Sequence, residues 1–176
     1  MRHAGSMALC IDKITGSRER NPMGNCLKVG ILGAGNIAGS MAEALNELQK
    51  EGKACAYAVA SRSQEKALEF ARKWNITRAY SSYEELASDP EVDLIYIATP
   101  HSLHYEQAKL CMEHGKNVLV EKAFTANARQ AEELFAMAEE KKVFITEAIW
   151  TRYMPSREII TGLLREGVIG TPQILE

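Results

Sequence analysis

The sequence predicts an α/β chain built on a doubly wound parallel sheet. Two observations carry that prediction. Short apolar runs alternate with stretches of helical period along residues 27–150, and the first run ends in a glycine-rich turn leading into an amphipathic pattern. Strands separated in this way by helices join in parallel through right-handed crossovers.

Each element has its own signal. Leu27-Lys28-Val29-Gly30-Ile31-Leu32 is an apolar run closed by glycines, as in a strand buried on both faces. Ile37, Met41, Leu45 and Leu48 then recur at helical spacing. Cys55 to Ala60 gives a second strand, and Ser63 caps a helix that buries Ala67, Phe70, Ala71 and Trp74. Ser82-x-x-Glu85 reads as a capping box for a short helix around Leu86. Asp93 to Ala98 is a strong strand, followed by a helix over residues 102–113 that Gly115 terminates. A strand at Asn117–Val120, a helix centred on Ala131, Leu134, Phe135 and Ala138, and a strand at Val143–Thr146 complete the alternation. Residues 151–176 hold one more helix. Residues 1–26 lack a sustained period and contain the turn-like Ser17-Arg18-Glu19-Arg20-Asn21-Pro22. They read as a loose leader, with Met23 as a candidate start.

Composition bounds the function. A chain of 176 residues suffices for one full domain plus a little. With 46% hydrophobic and 25% charged residues it sits near the globular average, which argues against disordered, collagenous and coiled-coil classes. The 21 basic and 23 acidic residues nearly balance, so there is no electrostatic footprint for nucleic acid or an anionic membrane. No stretch approaches the roughly 20 apolar residues of a membrane helix. Cys10, Cys26, Cys55 and Cys111 are scattered without a C-x-x-C pair, so neither a zinc knuckle nor a redox dithiol is suggested. Reduced thiols in a cytoplasmic protein are expected. The apolar run Met7 to Ile11 is too short for a secretory signal.

Function enters at the first turn, Gly33-Ala34-Gly35-Asn36-Ile37-Ala38. This is G-x-G-x-x-A, the dinucleotide fingerprint of the Rossmann fold with alanine in its third place. Gly33 permits the tight turn, and Gly35 lets the backbone approach a pyrophosphate. Ala38 is small enough for the helix to pack on its strand. The helix N-terminus, with Asn36 and Ile37 in its first turn, offers free N–H groups and partial positive charge to phosphates. A lone glycine motif is weak, but here the strand before it and the helix after it are the context it requires.

The end of the second strand selects the nucleotide. A site for NAD usually places Asp or Glu there to bind the ribose hydroxyls. This chain reads Ala60-Ser61-Arg62-Ser63. A carboxylate would repel a 2′-phosphate, whereas a guanidinium binds one bidentately. Lys66, one helical turn on, adds a second positive charge, and Ser61 and Ser63 offer hydroxyls. The pattern predicts NADP over NAD. In the competing reading Ser63 only caps its helix and Arg62 is a solvated surface residue.

Further candidates stand where strands end, since strand carboxyl ends line the ligand crevice of a doubly wound sheet. Ala98-Thr99-Pro100-His101 closes one strand, with His104 a turn later. The His-x-x-His pair lacks a carboxylate or cysteine at ligand spacing, so no metal is predicted. His104 is either a polar contact for a substrate or a satisfied core histidine. Val118-Leu119-Val120-Glu121-Lys122 closes the next strand. Lys122 is either one half of a surface pair with Glu121 or an acid–base group at the nicotinamide, where burial and nearby cations would lower its pKa.

Together, Gly33 to Ala38, Ala60-Ser61-Arg62, Ala98-Thr99-Pro100-His101-x-x-His104, Glu121-Lys122 and Glu147-Ala148-Ile149-Trp150-Thr151-Arg152 resemble the Gfo/Idh/MocA oxidoreductases over residues 27–176. The Glu147–Arg152 stretch is most similar to the family's NADP-dependent dihydrodiol and D-xylose dehydrogenase branch. The resemblance implies that Lys122 matches the lysine of the family's Glu-Lys-Pro motif, which lies at the nicotinamide and assists proton transfer. Glu121 helps hold the cofactor, and Arg62 contacts its 2′-phosphate. His104 and Trp150 match positions lining the active-site cleft, with Arg152 close by, and Thr99 and Pro100 join the cofactor contacts. The implied reaction is reversible hydride transfer between the nicotinamide and a hydroxyl-bearing carbon of a sugar, polyol or dihydrodiol.

The chain departs from the family pattern twice. Ala123 stands where the family has proline, which removes a residue that stiffens the loop and predicts a looser placement of Lys122. Gln173-Ile174-Leu175-Glu176 falls where the family's substrate domain begins, and that domain carries the substrate pocket and the interface of family homo-oligomers. The expected organisation is thus a leader at 1–26, a dinucleotide-binding domain at 27–150, and at 151–176 a connecting helix and the start of a truncated substrate domain. Two functions fit: the amino-terminal half of an NADP-dependent oxidoreductase, or a stand-alone NAD(P)-binding module without turnover of its own.

Overall fold

The computed structural model describes residues 26–171 and residue 173, and within them six parallel strands form a single sheet. The strands are β1 (Leu27–Leu32), β2 (Ala54–Ala60), β3 (Arg78–Tyr80), β4 (Leu94–Ile97), β5 (Asn117–Val120) and β6 (Ile145–Glu147). Their order is β3-β2-β1-β4-β5-β6. Chain direction across the sheet therefore reverses at β1, and the crevice beyond the carboxyl ends of β1 and β4 is the switch point where doubly wound folds bind ligands.

Helices α1 (Asn36–Lys50) and α2 (Gln64–Trp74) follow β1 and β2. They help close one apolar layer, which contains Val29, Ile31, Met41, Leu45, Phe70 and Tyr96. Helices α3 (Tyr83–Ser88), α4 (His104–Glu113) and α5 (Ala128–Lys141) follow the next three strands, and the layer beneath them contains Leu32, Leu86, Ile97, Met112 and Leu134. The central strands are aliphatic on both faces because both faces are covered. Helix α6 (Pro155–Arg165) comes after β6, and its Ile159 and Ile160 are 65% and 56% exposed. Among the described residues no helix is long and apolar enough to cross a membrane.

The local signals act as expected at most elements. Ser63 caps α2, its hydroxyl accepting from the Lys66 amide, and Gly115 at φ +71° ends α4. Several details differ. Ile37 is 44% exposed, because it falls in the first turn of α1, beyond the cover of α2; Ala38, Met41, Leu45 and Leu48 bury that helix instead. Phe135 is half exposed and stacks on Phe124 at 5.3 Å between ring centroids. Ser82 does cap α3, but by accepting from the Glu84 amide, while the Glu85 carboxylate accepts from Ser81, so the reciprocal half of the capping box is not made. Strand β3 has no counterpart among the expected elements. The last strand begins two residues later than Val143.

Cys26, Cys55 and Cys111 are free thiols, and burial pushes the Cys111 thiol up to about 12. The leader up to residue 25, with Cys10 and Met23, lies outside the described residues, as do Ile174, Leu175 and the side chain of Trp150.

Candidate nucleotide-binding crevice

The glycine turn sits between two strands and is stitched to both. The Gly33 amide donates to the Ala60 carbonyl at the end of β2 (2.9 Å), and the Ala98 amide beyond β4 donates to Leu32 (2.8 Å). Gly33 has φ +104°, and a Cβ there would lie 2.8 Å from the Ala98 carbonyl oxygen, so only glycine fits. A Cβ at Gly35 would meet nothing within 4 Å, which leaves open space against the backbone. Gly35 is the N-cap of α1 and provides no side-chain cap, and the first turn of α1 holds no acidic residue. Its N–H groups and the positive end of its dipole therefore face that space unopposed. These features fit a pyrophosphate, and they put Gly33, Gly35, Asn36 and Ile37 together at one rim.

A groove of about 470 Å³ continues from Ala34, Gly35 and Asn36 between α1 and α2, where Lys66, Lys73 and Trp74 line it. Gly39 allows that close approach, since a Cβ there would come within 3.3 Å of the Trp74 ring. Arg62 and Lys66 are exposed at the β2–α2 junction. Among the described residues neither cationic head has a hydrogen-bond or ion-pair partner. Ser61 is tied down: its amide donates to Tyr80 and its hydroxyl accepts from Ser63.

The carboxyl ends of β4 and β5 are built differently, since most polar groups there are bonded within the protein. The Thr99 hydroxyl donates to Gln107, a buried partner that the sequence did not bring out. Pro100 is exposed and opens a 3₁₀ turn over His101–Leu103. His104 is fully buried, with Nδ1 2.8 Å from the Ala123 carbonyl and Nε2 3.0 Å from the Thr99 carbonyl. A neutral imidazole has one N–H to offer two carbonyls; only the imidazolium donates to both. His104 thus ties the β4 end to the loop after β5 and presents no free nitrogen to the crevice.

Glu121 is buried and Lys122 is exposed beside it. The Glu121 carboxylate accepts from the Tyr96 hydroxyl at 2.5 Å through Oε1 and from the Lys122 amide at 3.1 Å through Oε2. The Phe124 amide donates to Glu147 Oε1 at 2.7 Å, joining β6 to the same loop. With Ala123 held by His104, residues 121–124 are fastened to three other segments, which supply ties that do not depend on a proline at 123. Tyr96 and Gln107 were given no role in the sequence reading, and Glu147 stood there only as the first residue of a family motif. For Tyr96 a signal existed: a phenol within an aliphatic strand needs a partner for its hydroxyl. Arg152 is exposed in a 3₁₀ turn over Trp150–Tyr153, just beyond β6.

A parallel sheet of this order, with a glycine turn and an uncapped helix at its switch point, defines a dinucleotide-binding α/β protein. The chain belongs to the GFO_IDH_MocA family, described as an oxidoreductase family with an NAD-binding Rossmann fold, whose model matches residues 27–148. The chain is 44% identical over 144 residues to a trans-1,2-dihydrobenzene-1,2-diol dehydrogenase of Mus musculus, covering 82% of this chain and 43% of the relative. It is 41% identical over 154 residues to a D-xylose 1-dehydrogenase (NADP(+)) of Hypocrea jecorina, covering 82% of this chain and 39% of the relative. A 3-ketoreductase from Actinomadura kijaniata, crystallised with NADP, superposes with a TM-score of 0.74 at 33% identity, covering 83% of this chain and 46% of that one. The chain thus spans less than half the length of these relatives.

Proposed function

We propose that this chain is the nucleotide-binding half of an NADP-dependent oxidoreductase acting on a hydroxyl-bearing carbon of a sugar, polyol or dihydrodiol. The observation that carries the reading is an uncapped α1 N-terminus that shares a groove with Lys66, together with Arg62 at the end of β2, neither cation having a partner among the described residues. The backbone at Gly33, Gly35, Asn36 and Ile37 binds the pyrophosphate, and Arg62 and Lys66, with Ser61, receive the 2′-phosphate. Thr99, Pro100 and Glu121 stand beyond β4 and β5, and Trp150 and Arg152, in the segment after β6, belong to the cofactor site by resemblance to the family. NADP, when bound, supplies the hydride-accepting nicotinamide. Lys122 holds and returns the substrate hydroxyl proton, and His104 fixes the loop from which it does so. The relatives named for dihydrodiol and D-xylose oxidation support the substrate class. A stand-alone binding module finds no support among them.

The test is a titration of the 176-residue chain with NADPH and NADH, followed by nicotinamide fluorescence and repeated with Arg62→Ala. NADPH is expected to bind more tightly, and Arg62→Ala to weaken it roughly 10- to 100-fold while leaving NADH unchanged. Equal affinity for both nucleotides would overturn the assignment of NADP.

A further inference from the structure

The loop bearing Lys122 carries a fastening that the family fingerprint does not explain. In register, Tyr96 of β4 lies opposite Leu119 of β5, so Glu121, two residues further along, projects on the same face of the sheet. The phenol lies on the diagonal toward Glu121, within reach of a long aromatic side chain. Tyr96 is 1% exposed, and its hydroxyl meets Glu121 Oε1 at 2.5 Å. The other oxygen of that carboxylate takes the Lys122 amide. A carboxylate buried this deeply is stable only if its oxygens find donors. The donors here are one phenol from the middle of β4 and one amide from the first residue beyond β5.

We infer that Tyr96 is a positioning residue: its hydroxyl orients the Glu121 carboxylate, which in turn fixes the backbone of Lys122 at the crevice. The inference rests on the reading of Lys122 as the proton-handling group. Burial, and then the charge of Glu121, push the ionisation of the Tyr96 hydroxyl far upward, so the hydroxyl stays a donor. Phenylalanine would fill the same space among Leu94, Ala98 and Leu119, so packing does not account for the hydroxyl.

The experiment uses Tyr96→Phe, Glu121→Ala and the double variant in the ¹⁵N-labelled chain, reading amide hydrogen exchange residue by residue. Tyr96→Phe keeps the packing volume, so the fold is retained. It is expected to speed exchange of the Lys122 amide on the order of ten-fold and to leave Leu119 and Val120 unchanged. The double variant is expected to match Glu121→Ala alone, because that change already removes the acceptor through which Tyr96 acts on the Lys122 amide. Unchanged exchange at Lys122 overturns the inference, and so do additive effects. Acceleration spread evenly over β4 and β5 also overturns it, since that marks a general packing role. The readout needs no nucleotide, so if wild-type chain failed to bind NADPH the cofactor reading would fall by itself.

Discussion

The two halves of the crevice rim are built on opposite principles. At the ends of β1 and β2 several polar groups are left free: the first turn of α1 is uncapped, Gly35 faces open space, and Arg62 and Lys66 have no partner among the described residues. At the ends of β4 and β5 the groups are largely bonded to one another, with His104, Glu121 and Glu147 each taking a backbone group of residues 121–124. Under the proposed function the contrast suits two tasks. Anion binding needs donors that a ligand can claim, whereas proton transfer needs a group already held in place, since misplacement is costly to rate. Damage at the first rim should appear mainly in binding, and damage at the second in stability.

Gly33→Val is expected to break this division most severely, because the turn serves both. A β-branched side chain at φ +104°, aimed at a backbone carbonyl, should cost about 4–5 kcal/mol, read as a lower urea midpoint together with lost NADPH binding. His104→Ala should act on the bonded side. It removes the ring that bridges the Thr99 and Ala123 carbonyls and opens a cavity in a fully buried site, for a loss on the order of 2–4 kcal/mol in the same unfolding titration. Arg62→Ala sharpens the comparison from the free side: binding falls as described above, but the urea midpoint should stay within about 0.5 kcal/mol of wild type. Ser63→Ala sits at the junction and removes the α2 cap, worth about 1 kcal/mol, with a smaller effect on affinity than Arg62→Ala.

A pH experiment at the opposite end of the sheet gives the reference for both rims. Burial raises the Asp89 pKa, but the Glu91 amide, the Tyr80 hydroxyl and the Arg78 and Lys116 charges outweigh it and hold the carboxyl below its ordinary value. A depressed folded pKa adds stability that is present above the unfolded value, about 3.9, and lost as pH falls through the folded one. Asp89→Asn should therefore flatten the acid limb of a stability–pH curve below about pH 4 and leave NADPH binding at neutral pH intact.

What could be read from the sequence divides along the same line. The strands β1, β4 and β5 were legible because an aliphatic run between glycines or polar residues has few other uses. Strand β3 was not: Arg78-Ala79-Tyr80 is short and polar, and it is a strand only because Ala58, Val59 and Ala60 lie beside it. The glycine turn was legible since its conformation is set by its own neighbours in sequence, and the exposed position of Arg62 follows from its place just beyond β2. The bonds of Tyr96 to Glu121 and of Phe124 to Glu147 span 25 and 23 residues, and they depend on the register of strands that no local pattern specifies. His104 was visible as a residue but not as a tie, because both of its partners are backbone carbonyls, which any sequence offers everywhere.

The strand order also dictates how the chain comes together. β1 is the middle of the sheet, yet the pairing that places it there waits for β4, and the Lys28 amide reaches its Asp93 carboxylate across 65 residues. Such long loops close slowly, because their entropy is lost before the contacts are gained. Until β4 leaves the ribosome, Val29 and Ile31 have only β2 on one side and an open backbone edge on the other. An unpaired apolar edge invites association with other chains. Assembly of the nascent protein therefore waits at its own centre, since the strand that holds the glycine turn gains its second neighbour only when β4 arrives.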